Sequence, residues 1–167
     1  MSNDTQAART AETTAVENNA RGGKFLTFSL ADEDYGVEIL RVREIIGVMD
    51  ITAVPQMPEH VKGVINLRGK VIPVVDLRLK FGMEEIPYTE ATCIIVVDVG
   101  ALMGIIVDTV QEVLDVDAAN VEPAPPLGGA VDTSYVLGMG KVRDDVKILL
   151  DIDKVLNDDK AYAVDED

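Results

Sequence analysis

The second half of this 167-residue chain repeats the first, and a repeated sequence predicts two related structural units. In the first part of the repeat, Gly36 corresponds to Gly104 and Val42 to Val110, an offset of 68 residues. After a short insertion the offset becomes 75 residues, and the corresponding pairs are Gly63 with Gly138, Arg68 with Arg143, Val71 with Val146, and Asp76 with Asp151. We therefore expect two similar halves.

Within each half the apolar pattern favours β-strands. Apolar residues alternate with polar ones at positions 26, 28 and 30, and again at 35, 37 and 39 after an acidic turn, which predicts a hairpin. A second hairpin is predicted around Leu67, Arg68 and Gly69, where Gly69 suits a positive φ and Arg68 lies at the tip. Pro73 lacks an N–H group, so its strand is expected to lie at an edge or to carry a bulge.

Between these hairpins the apolar spacing changes. Ile39, Val42, Ile45 and Ile46 recur at intervals of three and four residues, which predicts a short helical turn that ends at Gly47. That turn would direct three charged side chains outward: Arg41, Arg43 and Glu44.

Each half offers about five short strands, a suitable number for closing a small barrel. A half of about 65 residues is marginally stable alone, so we expect the halves to pack on each other through their many Val and Ile side chains. The predicted fold is mainly β, with two five-stranded β-barrels related by internal duplication and short helices. We expect a disordered N-terminal tail at 1–22, a domain of two intertwined half-domains at 23–156 and an acidic C-terminal tail at 157–167.

Composition excludes several classes of function. The formal net charge is −15, from 15 basic and 30 acidic residues, which disfavours binding to nucleic acid or to an anionic membrane. One cysteine and one histidine provide neither an internal disulfide nor a structural zinc site. No apolar run approaches the length of a membrane span or follows a basic start, so the sequence predicts a cytoplasmic protein without membrane insertion.

The sequence contains no catalytic set of residues. His60 lies in a loop without a nucleophile motif and is expected to be a solvated histidine, while Cys93 opens an apolar strand and is expected to be a core residue. No glycine-rich phosphate cradle and no metal-ligand series is present, so no cofactor, metal or enzymatic activity is expected. A small β-barrel ligand-binding protein or enzyme, using His60 and nearby carboxylates, remains as an alternative.

Arg68 is the sharpest candidate for binding a partner. Exposed arginines often do no more than solubilise a hairpin, but an apolar patch beside this one would resemble an interface hot spot; the candidate patch is Val42, Val61, Val64 and Leu67. Gly69 and Lys70 follow Arg68, so no adjacent carboxylate competes for its guanidinium. Arg143, in contrast, precedes Asp144 and Asp145, which are expected to pair with it.

Three segments of the chain resemble the CheW family of bacterial chemotaxis coupling proteins. They are YGVEILRVREI at 35–45, KGVINLRG at 62–69 and IPVVDLR at 72–78, and the resemblance extends over about residues 24–156. The resemblance implies two packed SH3-like barrels. It also implies a non-catalytic adaptor that links the cytoplasmic tips of methyl-accepting chemoreceptors to the regulatory domain of the histidine kinase CheA, which has the same double-barrel form.

The same resemblance assigns Val42, Glu44, Gly63 and Arg68 to a receptor-facing region between the halves. Kinase-facing residues would lie toward the barrel ends, without individual assignments. The chain is too short for an additional receiver or kinase domain, so a stand-alone coupler recruited to receptor arrays is expected. A related scaffold module that serves another receptor–kinase pathway is the alternative.

Overall fold

The computed structural model describes residues 22–124 and 132–163. Within them lie eleven strands: β1 Gly23–Leu30, β2 Glu33–Glu38, β3 Val42–Gly47, β4 Val61–Leu67, β5 Lys70–Asp76, β6 Cys93–Asp98, β7 Leu102–Val107, β8 Thr109–Val116, β9 Val121–Glu122, β10 Val136–Val142 and β11 Asp145–Leu150. Two short α-helices also occur there, α1 Leu77–Lys80 and α2 Ile152–Val155, together with 3₁₀ turns at Ile39–Arg41, Ala118–Asn120, Thr133–Tyr135 and Asn157–Tyr162. Apart from Gly22, the predicted N-terminal tail lies outside the described residues.

The strands form two sheets. One has five strands in the order β3-β6-β7-β5-β4, and the other has six in the order β9-β10-β11-β2-β1-β8. The first curls until the β4–β5 hairpin contacts β3, and the second until β10 approaches β8. We call them the five-stranded barrel and the six-stranded barrel. The predicted pair of β-barrels is thus confirmed, with the two-residue β9 as an additional strand.

The repeat relates the two barrels strand by strand. β4, β5, β6, β7 and β3 of one correspond to β10, β11, β1, β2 and β8 of the other, and an isolated Thr52–Val64 bridge stands where β9 pairs with β10. Each barrel therefore combines the first hairpin of one half with the later strands of the other half. The joints are the parallel pairs β5–β7 and β11–β2. The halves are interlocked, because neither half closes a barrel by itself.

The largest apolar core lies between the two barrels and draws on both. Its fully buried members include Phe28, Tyr35, Val75, Ile105 and Leu150. Smaller clusters fill each barrel, around Ile65, Ile72, Val74, Ile94, Val96 and Ile106 in the five-stranded barrel and around Phe25, Val116 and Leu149 in the six-stranded barrel. The shared core accounts for the packing of the halves expected from their Val and Ile content.

The predicted helical turn at 39–46 is wrong over most of its length. Only Ile39–Arg41 form a 3₁₀ turn, and the chain then continues as β3, which pairs with β6. A register shift between Val42 and Glu44 interrupts the strand alternation. The interruption produced the three-and-four spacing in the sequence, and pairing with β6 overrides that local pattern.

Pro73 lies on an internal strand, since β5 has neighbours on both sides, so the expected edge position is wrong. The parallel pairing of β5 with β7 begins at Val74, immediately after the proline. The register shift in this part of the sheet lies on the partner strand, between Val61 and Gly63.

The C-terminal boundary also differs from the sequence-based one. Residues expected to begin an acidic tail at 157 form the 3₁₀ turn Asn157–Tyr162, and the Asp159 side chain within it is almost fully buried. Buried partners hold this carboxylate, so acidic composition alone did not make this segment a tail. In the described part of the chain, no helix has the length and apolar character needed to cross a membrane.

Candidate functional site

The tip of the β4–β5 hairpin presents Arg68. Leu67 pairs with Lys70, so the loop has two residues, Arg68 at φ 52° and Gly69 at φ 88°. Positive φ at both central positions is the geometry that matches the twist of a hairpin. The Gly69 N–H donates to Asn66 Oδ1 at 2.9 Å, which fixes the turn. The predicted hairpin and the position of Arg68 at its tip are confirmed.

Arg68 does not stand free, as its chain neighbours had suggested, but pairs with Glu44 on β3. One guanidinium nitrogen donates to Glu44 Oε2 at 3.2 Å, and the other contacts Oε1. These bonds lower the pKa of the Glu44 carboxyl below its usual range. The Arg68 side chain is still 69% exposed, so the pair joins the two ends of the curled sheet while leaving the guanidinium accessible to a partner.

The other two sequence-predicted positions are less accessible. Val42 lies on β3, two residues before Glu44, and packs partly against the shared core. Gly63 is buried at φ 139°, and a β-carbon there would come within 2.1 Å of the Thr52 carbonyl oxygen. The glycine thus lets the Thr52 segment lie against β4, where Thr52 and Val64 exchange backbone hydrogen bonds of 2.8 and 2.9 Å.

The expected apolar patch beside Arg68 is wrong in one member, because Val61 is buried in the shared core. The exposed apolar side chains next to the ion pair in the chain are instead Ile45, which follows Glu44, and Val71, which follows Lys70. In strands, successive side chains face opposite sides, so burial at one position exposes the next.

A groove surrounds the Arg68–Glu44 pair at the mouth of the five-stranded barrel. Its apolar lining consists of Leu67, Ile72, Val96 and Leu102, and Arg43, Lys70 and Asp98 complete its charged rim. Arg43 donates to Asp98 Oδ2 at 2.7 Å, and this bond lowers the pKa of the Asp98 carboxyl. Sequence reasoning missed the role of these rim residues, which come from β3, β5 and β6 and have no common motif.

Neither His60 nor Cys93 lines this groove. His60 is not the solvated loop residue expected, because its Nε2 lies 2.8 Å from Oδ1 of the buried Asp159. Lys80 donates to the other oxygen of that carboxylate at 2.9 Å. Cys93 begins β6, where its Sγ donates to the Ala91 carbonyl oxygen at 3.4 Å.

Arg143, the repeat counterpart of Arg68, occupies the same kind of turn at φ 57°. Contrary to expectation, among the described residues it forms no ion pair, with Asp144, Asp145 or any other carboxylate. The two arginines therefore differ in the reverse sense to that expected from their neighbours in the chain.

Comparison with known proteins follows the same residues. A family model described as "CheW-like domain" matches residues 24–160. "Chemotaxis protein CheW" of Klebsiella aerogenes is 40% identical over 145 residues, covering 86% of this chain and 87% of the relative, and that of Rhizobium meliloti is 32% identical over 153 residues, covering 90% and 99%. The crystal structure of the scaffolding protein TtCheW from Thermoanaerobacter tengcongensis, 39% identical, superposes with a TM-score of 0.75 over 81% of this chain and 93% of that one.

Proposed function

This chain belongs to the CheW-like family of non-catalytic chemotaxis scaffolds, and from that premise we propose that it couples transmembrane chemoreceptors to the histidine kinase CheA. A scaffold of this kind acts by proximity: it raises the effective concentration of kinase at the cytoplasmic tips of the receptors. It also lets the state of the receptor bias the conformation of the kinase. The protein would act at the cytoplasmic side, recruited to receptor arrays.

We assign the receptor-facing surface to Val42, Glu44, Gly63 and Arg68. The observation that carries this assignment is the Arg68–Glu44 pair, which is accessible, lies at a barrel mouth and borders an apolar groove. Arginine beside apolar surface is common among the residues that dominate binding energy at interfaces. Gly63 contributes indirectly, because it permits the backbone pairing of Thr52 with β4.

The kinase would bind elsewhere on the molecule. Its regulatory domain is expected to have the same double-barrel form, so we propose that the two proteins pair barrel to barrel through barrel ends. Separate surfaces for receptor and kinase are what a bridging role requires, since both partners must be bound at once.

Co-sedimentation with receptor-containing membranes tests the proposal. We expect this protein to pellet with the membranes, and CheA to pellet in larger amount when this protein is present. If CheA sediments equally with and without it, the coupling role is refuted.

Matched variants test the receptor-facing surface. Arg68→Ala is expected to weaken co-sedimentation with receptor membranes roughly tenfold, whereas Arg143→Ala, at the equivalent turn, is expected to leave it nearly unchanged. Circular dichroism melts of both variants check that each is folded. Equal losses from the two substitutions would contradict the assignment of the surface to the five-stranded barrel.

A further inference from the structure

The repeat allows the mouths of the two barrels to be compared position by position. At the mouth of the five-stranded barrel, Ile72 and Leu102 form part of an apolar floor. Their counterparts in the six-stranded barrel, at offsets of 75 and 68 residues, are Lys147 and Asp34. The Lys147 ammonium lies 2.7 Å from the Asp34 carboxylate, and its side chain is only 8% exposed.

Gln111, the counterpart of Arg43, completes that second arrangement by donating from Nε2 to Asp34 at 3.0 Å. Polar side chains that satisfy one another thus occupy the positions that form an apolar floor in the other barrel. The two mouths have diverged, and only the five-stranded barrel keeps this apolar floor.

Charge distinguishes the open mouth further. Its rim carries Arg43, Arg68 and Lys70 against Glu44 and Asp98, a local excess of one positive charge in a chain whose net charge is −15. Both rim carboxylates are already bonded to arginines. Lys70 forms no ion pair within residues 22–124 and 132–163, and its counterpart in the other barrel is an acid, Asp145.

We propose that the mouth of the five-stranded barrel receives an acidic amphipathic helix, with Arg43 and Lys70 selecting its carboxylates. The proposal rests on the proposed function, in which this helix belongs to the receptor tip. A helix satisfies its own backbone polar groups, so a groove that offers apolar side chains and cations, rather than a strand edge, suits it. Apolar side chains of the helix would cover Leu67 and Leu102, and carboxylates would approach Lys70 and the exposed side of Arg43.

The test compares Lys70→Asp, which writes in the charge found at the equivalent position, with Lys154→Asp. Lys154 is exposed and unpaired among the described residues, so the two variants change the net charge equally. We expect Lys70→Asp to weaken binding of a purified receptor cytoplasmic fragment about tenfold and to reduce the salt dependence of binding. Arg43→Gln should weaken it about fivefold, and Lys154→Asp less than twofold. Equal effects from Lys70→Asp and Lys154→Asp would overturn the proposal.

A second measurement is independent of the receptor. Two amphipathic helical peptides of about 14 residues, identical in their leucine stripe, carry either Glu or Gln beside it. The Glu peptide is expected to shift the backbone amide NMR signals of Lys70, Ile72 and Leu102, and the Gln peptide to bind at least fivefold more weakly. Shifts confined to other surfaces, or equal binding of both peptides, would refute the proposal. If the receptor fragment fails to bind while the Glu peptide occupies the groove, the proposed function is refuted and the inference about the groove stands.

Discussion

Replacing Asp159 by alanine should destabilise the whole domain, although this residue lies only nine positions from the C-terminus. Its carboxylate is 2% exposed and accepts from Lys80 Nζ at 2.9 Å, while His60 Nε2 lies 2.8 Å from its other oxygen. The Lys80 side chain is itself only 7% exposed. Asp159→Ala therefore leaves a buried ammonium without its counter-charge and removes the bond to the imidazole.

Removing one partner of a buried ion pair costs about 3–5 kcal/mol, against a total stability of about 5–15 kcal/mol for a typical domain. For a domain of this size, that loss corresponds to a fall in Tm of roughly 8–15 °C. Urea denaturation followed by circular dichroism measures the free energy of unfolding. Asp158→Ala is the matched control, because its side chain is exposed and the expected change is within about 0.5 kcal/mol.

A double variant separates the charge effect from loss of packing. Lys80→Met with Asp159→Leu removes both charges and keeps apolar volume, so it should recover most of the stability that Asp159→Ala loses. If Asp159→Ala changes the free energy of unfolding no more than Asp158→Ala does, the C-terminal turn is not anchored as described and the reasoning fails.

Three further substitutions test local features by denaturation. Arg143→Gly should stabilise the domain by about 0.5–1 kcal/mol, because the steric cost of a left-handed backbone exceeds the entropic cost of glycine; a loss would contradict the φ of 57°. Gly63→Ala should destabilise it by about 2–3 kcal/mol through the clash with Thr52, and a neutral effect would refute that close approach. The Lys147 hydrogen bond lowers the pKa of Asp34 from 3.8, so its stabilisation is full above about pH 5 and is lost as pH falls through the lower folded pKa. The stability difference between wild type and Asp34→Asn should shrink from pH 5 toward pH 2.5, and a difference independent of pH would contradict this.

Much of the fold follows from local patterns in the sequence. The hairpins at β1–β2 and β4–β5 were predicted because alternation and turn residues act between neighbours in the chain. The repeat predicted two related barrels, and the shortness of each half predicted a shared core. At the candidate site, the same local rules placed Arg68 at a hairpin tip, and the family resemblance singled out Glu44.

Long-range pairing decided what those patterns left open or misplaced. The exchange of first hairpins between the halves depends on which strand ends meet across the parallel pairs, and no local pattern encodes that choice. β3 is a strand because β6 lies beside it, although its apolar spacing favoured a helical turn. Glu44 reaches Arg68 across 24 residues of chain, and Asp159 reaches Lys80 across 79, so neighbouring residues gave no sign of either pair. Such partners are selected by the free energy of the whole packed structure, in which a buried or half-buried charge must find its counter-charge wherever the topology brings one.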